Sequence, residues 1–365
     1  MERKGAVPPP VKIKIIGVGG GGGNAVNRMV DGGLIDPNGV EFISMNTDLQ
    51  ALRMSKAQIT MQLGMRTTRG QGSGGDPEVG ARAAEENTEV ISSMLSNTDM
   101  VFLTCGMGGG TGTGATPVVA RLARERGVLS VAVVTKPFSK LEGADRMNRA
   151  EAGIAELRKY VDALLVIPND KFIEMYPDLN FGEVLYKMAD DVLYKAILSI
   201  WGVVTHPGHI NVDMADVRTV LKNAGEIIMT VGRTEGDIEN KLVKAVKKAL
   251  ADPLLDNVSI EGSKRLLINV VGTDIKTVEM KAVSEYLSQN VARDAQIFFG
   301  FVPDASLGEI VEITIIATGS VGQKKTRRAV RKSADADNRP AVETTETGNL
   351  GRIPAILTRG TRILK

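Results

Sequence analysis

The sequence predicts an α/β protein: a parallel, doubly wound sheet, a long helix, a second, smaller α+β domain, and a C-terminal stretch outside any core. Three observations predict this. In the first half, apolar runs of strand length alternate with stretches whose apolar residues recur at helical spacing. Two glycine clusters, Gly19 to Gly23 and Gly106 to Gly114, each follow an apolar run and precede a helical pattern. Beyond Gly319 the chain turns polar and charged.

The length of 365 residues suits two domains plus tails, and 43% hydrophobic residues are enough for a substantial core. A net charge of +2 is too near neutral to suggest a nucleic-acid partner. The single cysteine, Cys105, excludes a disulfide framework and fits a reducing compartment. MERKGAVPPP has no apolar core of a secretory signal, and no apolar run reaches the ~18 residues of a membrane span. The expectation is a cytoplasmic protein with no membrane span of its own.

Residues 1–10 read as a flexible lead and residues 11–180 as the first domain. Val11 to Val18 is a strand. The five glycines from Gly19 to Gly23 then read as a loop, with Asn24 placed to cap a helix over Ala25 to Val30. Gly17, Gly19 and Gly22 also satisfy GxGxxG, with Asp48 beyond the next strand, Val40 to Met45; a uniform glycine run satisfies that fingerprint cheaply. Leu63 to Gly75 reads as a surface loop. Asp76-Pro77 opens a helix reaching about Leu95, with a cap and a proline at its first position. Strands follow at Met100 to Cys105, Val128 to Thr135 and Asp162 to Ile167, with helices over Ala115 to Arg126 and Asp145 to Tyr160.

Residues 181–204 are a long helix, and residues 205–319 form the second domain, beginning with a loop over 205–217. Its helices are Met214 to Asn223, Asp237 to Ala251 and Thr277 to Asn290. Its strands are roughly Glu226 to Val231, Arg265 to Val271, Ala295 to Val302 and Ile310 to Ala317. Residues 320–348 are too polar to order themselves, and they include the basic run Lys324 to Lys332, a candidate for anionic lipid or an acidic partner. An apolar pattern returns over 349–365, as in a docking peptide on a tether.

The chemistry concentrates in GMGGGTGTG, Gly106 to Gly114. Six of its nine residues are glycine, and it lies between a strand and a helix. Glycines let backbone N–H groups approach an anion, and a helix start adds unpaired donors and partial positive charge. Gly108, Gly109, Gly110, Thr111, Gly112 and Thr113 are therefore a phosphate loop, and Gly19 to Asn24 is a second cradle on a nearby strand end. In a doubly wound sheet ligands bind outside the carboxyl ends of the strands, where both cradles, Lys136 to Glu142 and Asn169 fall. No Gly-Lys dipeptide occurs, so no Walker lysine offsets phosphate charge; backbone N–H groups, hydroxyls, a metal ion or an arginine such as Arg146 must do so. His206 and His209 lack further ligands for a metal, and Cys105 reads as a small core residue.

These motifs resemble the tubulin/FtsZ family. GGGTGTG is similar to the tubulin signature. Val18 to Met29 (VGGGGGNAVNRM), Asn46 to Asp48 (NTD), Val134 to Phe138 (VTKPF), Ile167 to Asp170 (IPND) and Asn211 to Val217 (NVDMADV) resemble the bacterial cell-division branch, in the same order, from about Lys12 to Gly319. IPAIL near the C-terminus resembles that branch's terminal peptide. The sequence departs from the pattern at Leu141, where an aromatic is usual, and at Ala144-Asp145.

The resemblance implies a GTPase that polymerises head to tail into cytoskeletal filaments at a mid-cell division ring. It implies GTP and GDP as ligands, with Mg2+ on the phosphates and no dedicated protein metal site. By the family's pattern Gly20, Gly21, Gly22, Gly23 and Asn24 hold phosphates together with Gly110 to Gly112. Glu142 contacts the ribose region with Arg146 beside it. Asp190 accepts from guanine, with Asn27 and Asn169 near. One carboxylate can accept both guanine N1–H and the exocyclic amine.

Asn211, Asp213 and Asp216 would complete the hydrolytic site of the next subunit. Asp213 and Asp216 share a helix face, where two carboxylates could orient a water; acids at a helix start are also ordinary partners of the dipole. The peptide 350–358 would bind membrane-tethering and regulatory division proteins. An NAD-binding oxidoreductase and a non-hydrolysing nucleotide-binding scaffold are the alternatives; the first leaves the second glycine loop unexplained.

Overall fold

A computed structural model describes residues 11–32, 40–175, 193, 194, 197, 200, 213–235, 240–251, 260–273, 275–304 and 307–319. The seven-stranded sheet runs in the order β3-β2-β1-β4-β5-β6-β7, every pairing parallel. Its strands are β1 (Ile13–Val18), β2 (Val40–Asn46), β3 (Ile59–Gln62), β4 (Met100–Gly106), β5 (Leu129–Lys136), β6 (Ala163–Pro168) and β7 (Gly225–Glu226). Because successive strand side chains alternate between faces, each central strand feeds two cores. Met100 and Phe102 of β4 join Ile13, Ile15 and Phe42 on one face; Val101, Leu103 and Cys105 join Ile16, Val18 and Ile43 on the other. Near-continuous apolar strands are what a sheet covered on both faces requires.

Helix α1 (Gly19–Asp31) packs on the first face. On the second face lie α4 (Pro77–Glu85), α5 (Thr88–Met94), α6 (Thr111–Glu125) and α8 (Ala144–Leu157). Two short helices, α2 (Leu49–Arg53) and α3 (Met65–Thr68), follow β2 and β3, while α7 (Ser139–Glu142) precedes α8 and α9 (Asp170–Met175) follows β6. The second sheet has the order β10-β9-β11-β8, from β8 (Ile228–Thr234), β9 (Ser263–Gly272), β10 (Gln296–Pro303) and β11 (Val311–Gly319). β11 runs antiparallel to both its neighbours, and the sheet shares its own core with α11 (Lys241–Leu250) and α12 (Thr277–Ser288). Helix α10 (Met214–Leu221) contributes Val217, Val220 and Leu221 to the first face of the large sheet. No helix among the described residues is long and apolar enough to cross a membrane.

Several sequence expectations change. Asn24 is no cap: α1 begins at Gly19, directly after β1, with Val18 at the N-cap and no side-chain cap bond. Gly19 makes that turn with φ +72°, a conformation costly for other residues. The helix opened by Asp76, whose carboxylate accepts from Glu78 N–H, does not run unbroken to Leu95. It breaks between α4 and α5, where Glu86 accepts from Arg66 and Thr67 N–H and Asn87 from Gly64 N–H. Those backbone donors hold the Glu86 carboxyl below its usual range. The stretch 63–75 is more than a loop, since it contains α3, and 136–142 contains α7. β3 has no counterpart in the sequence reading, and β7 follows α9 by about fifty residues in the chain yet closes the sheet against β6. The lead 1–10, the linker 320–348, the peptide 349–365, His206, His209, and all of 181–204 except Leu193, Tyr194, Ile197 and Ile200 lie outside the described residues.

Candidate nucleotide-binding cleft

The strand order 3-2-1-4-5-6 places a topological switch point between β1 and β4, where the crossovers leave in opposite directions and a crevice opens at the carboxyl ends. A cleft of about 440 Å³ sits there. Val18 ends β1, and Gly20, Gly21 and Asn24 come from the first turns of α1. Gly106 ends β4, Met107, Gly109 and Gly110 follow it, and Thr111 and Gly112 begin α6. Thr135, Pro137 and Phe138 come from the end of β5, Glu142 from α7, Arg146 from α8, and Asn169 from just beyond β6; Ser73 and Leu193 complete the lining.

Two helix N-termini therefore meet at one opening, each presenting backbone N–H groups and the positive end of a dipole. A Cβ added at Gly20 or Gly109 would meet no protein atom within 4 Å, so glycine at these two positions keeps cleft space open rather than relieving a clash. Gly108 instead serves the loop. Its φ is +97°, and its N–H donates to Thr113 Oγ1 at 2.8 Å.

The hydroxyls beside the cradle form a buried chain. Thr47 Oγ1 lies 2.6 Å from Thr111 Oγ1, which lies 3.0 Å from Ser73 Oγ. Across the cleft, Glu142 accepts from Phe138 N–H at 2.9 Å and pairs with Arg146 at 2.7 Å. The pair spans the break between α7 and α8, so each residue fixes the other at the mouth. Asn169 is 8% exposed, and among the described residues its Oδ1 has no hydrogen-bond partner. A buried acceptor facing a cleft is an open position for a ligand donor.

The structure thus brings Gly20, Gly21, Asn24, Gly109, Gly110, Thr111, Gly112, Glu142, Arg146 and Asn169 to one opening. It does not bring Asn27, whose amide donates to Met54 O and accepts from Lys56 N–H, tying α1 to the chain after α2. Gly22 is buried against β1 and β4, Gly23 faces Ser44, and Thr113 is spent inside the loop with Gly108; none of these lines the cleft. Gly17 and Gly22 of the dinucleotide-like pattern serve packing of α1 on β1, since a Cβ on Gly17 would lie 2.3 Å from Gly22 O. Asp190 and Asn211 lie outside the described residues. The sequence reading missed Ser73, Thr135, Pro137, Phe138 and Leu193. Ser73 carried a signal as a hydroxyl in a glycine-rich stretch, and Thr135, Pro137 and Phe138 carried one in the VTKPF motif; Leu193 carried none.

Asp213 and Asp216 sit elsewhere. Asp216 N–H donates to Asp213 Oδ1 at 2.8 Å, and Asp213 N–H donates to Asp216 Oδ2 at 3.2 Å, a capping box at the start of α10. Met214 shares a hollow with Lys12, Asp99 and Val128, and Arg218 donates to Asp99 O. Those residues precede β1, β4 and β5, so α10 lies at the edge of the sheet opposite the cleft. β4 alone, with seven residues, separates the two edges by about 23 Å.

Known proteins share this fold. Residues 12–177 match the Tubulin/FtsZ family GTPase domain, and residues 225–321 match the FtsZ family C-terminal domain. Cell division protein FtsZ of Caulobacter vibrioides is 45% identical over 312 residues, 85% of this chain and 60% of that protein. The FtsZ of Bartonella bacilliformis is 46% identical over 309 residues, 84% and 51% respectively. The chain thus spans little more than half the length of the curated relatives it matches. The structure of an empty FtsZ dimer from M. jannaschii superimposes with a TM-score of 0.78 at 36% identity, covering 91% of this chain and 95% of that one.

Proposed function

The chain belongs to the tubulin/FtsZ family, and from that premise we propose that it is a self-assembling GTPase of cell division. Its cleft holds GTP or GDP, and copies stack head to tail into filaments. The observation that carries the reading is the meeting of two glycine-bearing helix starts at the switch point of a 3-2-1-4-5-6 sheet. Backbone N–H groups of Gly20, Gly21 and Gly109 to Gly112 meet the phosphates, and Arg146 is the one cation among the described lining residues. Asn169 Oδ1 takes a donor from the base or sugar, with Asp190 reading the guanine edge.

Magnesium fits this site as part of the nucleotide complex. Among the described residues no three acids, histidines or cysteines converge, so the ion would take phosphate and water oxygens, and it would supply charge neutralisation there.

Hydrolysis needs a second copy. If Asp213 and Asp216 orient the attacking water, they cannot do so for the cleft of their own chain, which is a strand's length away. Head-to-tail stacking puts the α10 end of one copy over the cleft of the next and repeats without closing. The filaments would build the division ring at mid-cell, on the cytoplasmic side of the membrane, with 350–358 engaging tethers and regulators. The alternatives fare less well: GxGxxG here packs a helix on a strand, and a scaffold without turnover leaves the paired acids with a capping role alone.

Light scattering and phosphate release, followed together with GTP, GDP and no nucleotide, test the proposal. Turnover per molecule should rise steeply once scattering shows assembly. Equal turnover in dilute monomer and in polymer would refute the shared site, and turnover-free assembly would favour the scaffold.

A further inference from the structure

We propose that Ser73, on the stretch between α3 and α4, is a phosphate-binding residue of the cleft, and that fully buried Thr47 is the positioning residue that sets its direction. The inference rests on the reading that the cleft holds a phosphate ester, and it follows from counting protons. Three hydroxyls, those of Thr47, Thr111 and Ser73, form a chain of two hydrogen bonds, 2.6 and 3.0 Å long. Three O–H protons serve two bonds, so one is left over.

Thr47 is 0% exposed, and among the described residues Thr111 is the one side-chain partner of its hydroxyl. Among the described residues no other acceptor lies within reach of the Thr47 hydroxyl, so its proton goes to Thr111 Oγ1. The spare O–H therefore belongs to Thr111 or Ser73, the two members that line the cleft. Ionised phosphate oxygens only accept. A phosphate beside this pair can take a proton from both hydroxyls, while Thr111 keeps the one donated by Thr47. Thr47 thus presents Thr111 and Ser73 to the ligand as donors and pins the Thr111 rotamer.

Ser73 is held in place for this role. Gly72 N–H donates to Thr47 O at 3.1 Å, Arg149 donates to Gly75 O, and a Cβ on Gly110 would lie 2.2 Å from Ser73 Oγ.

Binding of GDP and of a non-hydrolysable GTP analogue to dilute full-length protein, read by displacement of a fluorescent guanine nucleotide, tests the proposal. Loss of one donor to a charged group predicts that Ser73→Ala weakens at least one of the two nucleotides by about tenfold. Its melting temperature should match that of wild type. Thr47→Val should weaken binding about threefold, with Thr47→Ser restoring it, because the hydroxyl and not the methyl group acts. A purely structural Thr47 would be rescued no better by serine than by valine. If Thr47→Val does not fold, Ser73→Ala decides alone. Wild-type affinity for both nucleotides in Ser73→Ala overturns the inference, whereas wild-type protein that binds neither nucleotide refutes the reading of the cleft itself.

Discussion

Replacing Asp216 separates catalysis from stability, because the same carboxylate closes the capping box of α10. Its Oδ2 accepts from Asp213 N–H at 3.2 Å, the longer of the two bonds; the shorter, 2.8 Å, uses the Asp213 carboxylate. Asp216→Ala thus removes the weaker half of the box, a loss of about 0.5–1 kcal/mol that lowers the melting temperature by about 1–4 °C. Against a native stability of about 5–15 kcal/mol this leaves the protein folded. Losing a group that orients or deprotonates water costs about 100-fold or more in turnover. Asp216→Asn sharpens the comparison, because its amide oxygen still accepts from Asp213 N–H but carries no charge. The asparagine variant should melt like wild type, bind GTP like wild type and release phosphate about 100-fold more slowly in polymer. Calorimetry, nucleotide displacement and phosphate release above the assembly concentration measure the three quantities. Wild-type turnover in Asp216→Asn would refute the catalytic role, and so would a turnover loss fully matched by lost nucleotide affinity.

Two glycines of the same signature should fail in different ways. Gly109→Val puts its branch into open space beside the cleft, so it should abolish nucleotide binding while melting near wild type. Gly114→Ala puts a Cβ 1.9 Å from Pro77 O, where α6 crosses α4, so it should destabilise the fold by about 3 kcal/mol or more; the reverse outcome in thermal melts would refute this assignment of the two glycines. Burial pushes the Cys105 thiol from 9.0 up to about 12. The unfolded chain loses that proton first, so this contribution to stability is full below pH 9 and is lost as pH rises toward 12. Cys105→Ala should flatten that limb of a denaturation series, and an unchanged slope would remove the thiol as its cause.

The sequence by itself determined the alternating strands and helices, the parallel sheet, both glycine cradles and the Asp76 cap. These depend on local signals: apolar periodicity, turn chemistry and the residue types that accept from a helix start. β3 escaped because a four-residue edge strand of mixed polarity, ITMQ, has too little pattern to read. The break at Glu86–Asn87 escaped because it depends on donors some twenty residues earlier.

Only the tertiary structure decided which glycines face the cleft and which face protein. The string GGGGG is uniform, yet Gly20 opens on space while Gly22 is pressed against Thr104 O. It also tied the Asn27 amide to Met54 and Lys56, put Ser73 on the cleft wall and set Asp213 and Asp216 a strand's length from the cleft. Residue type and spacing specify what a side chain is able to do. Which partner it meets is fixed by packing between segments far apart in the chain, and no local pattern encodes that.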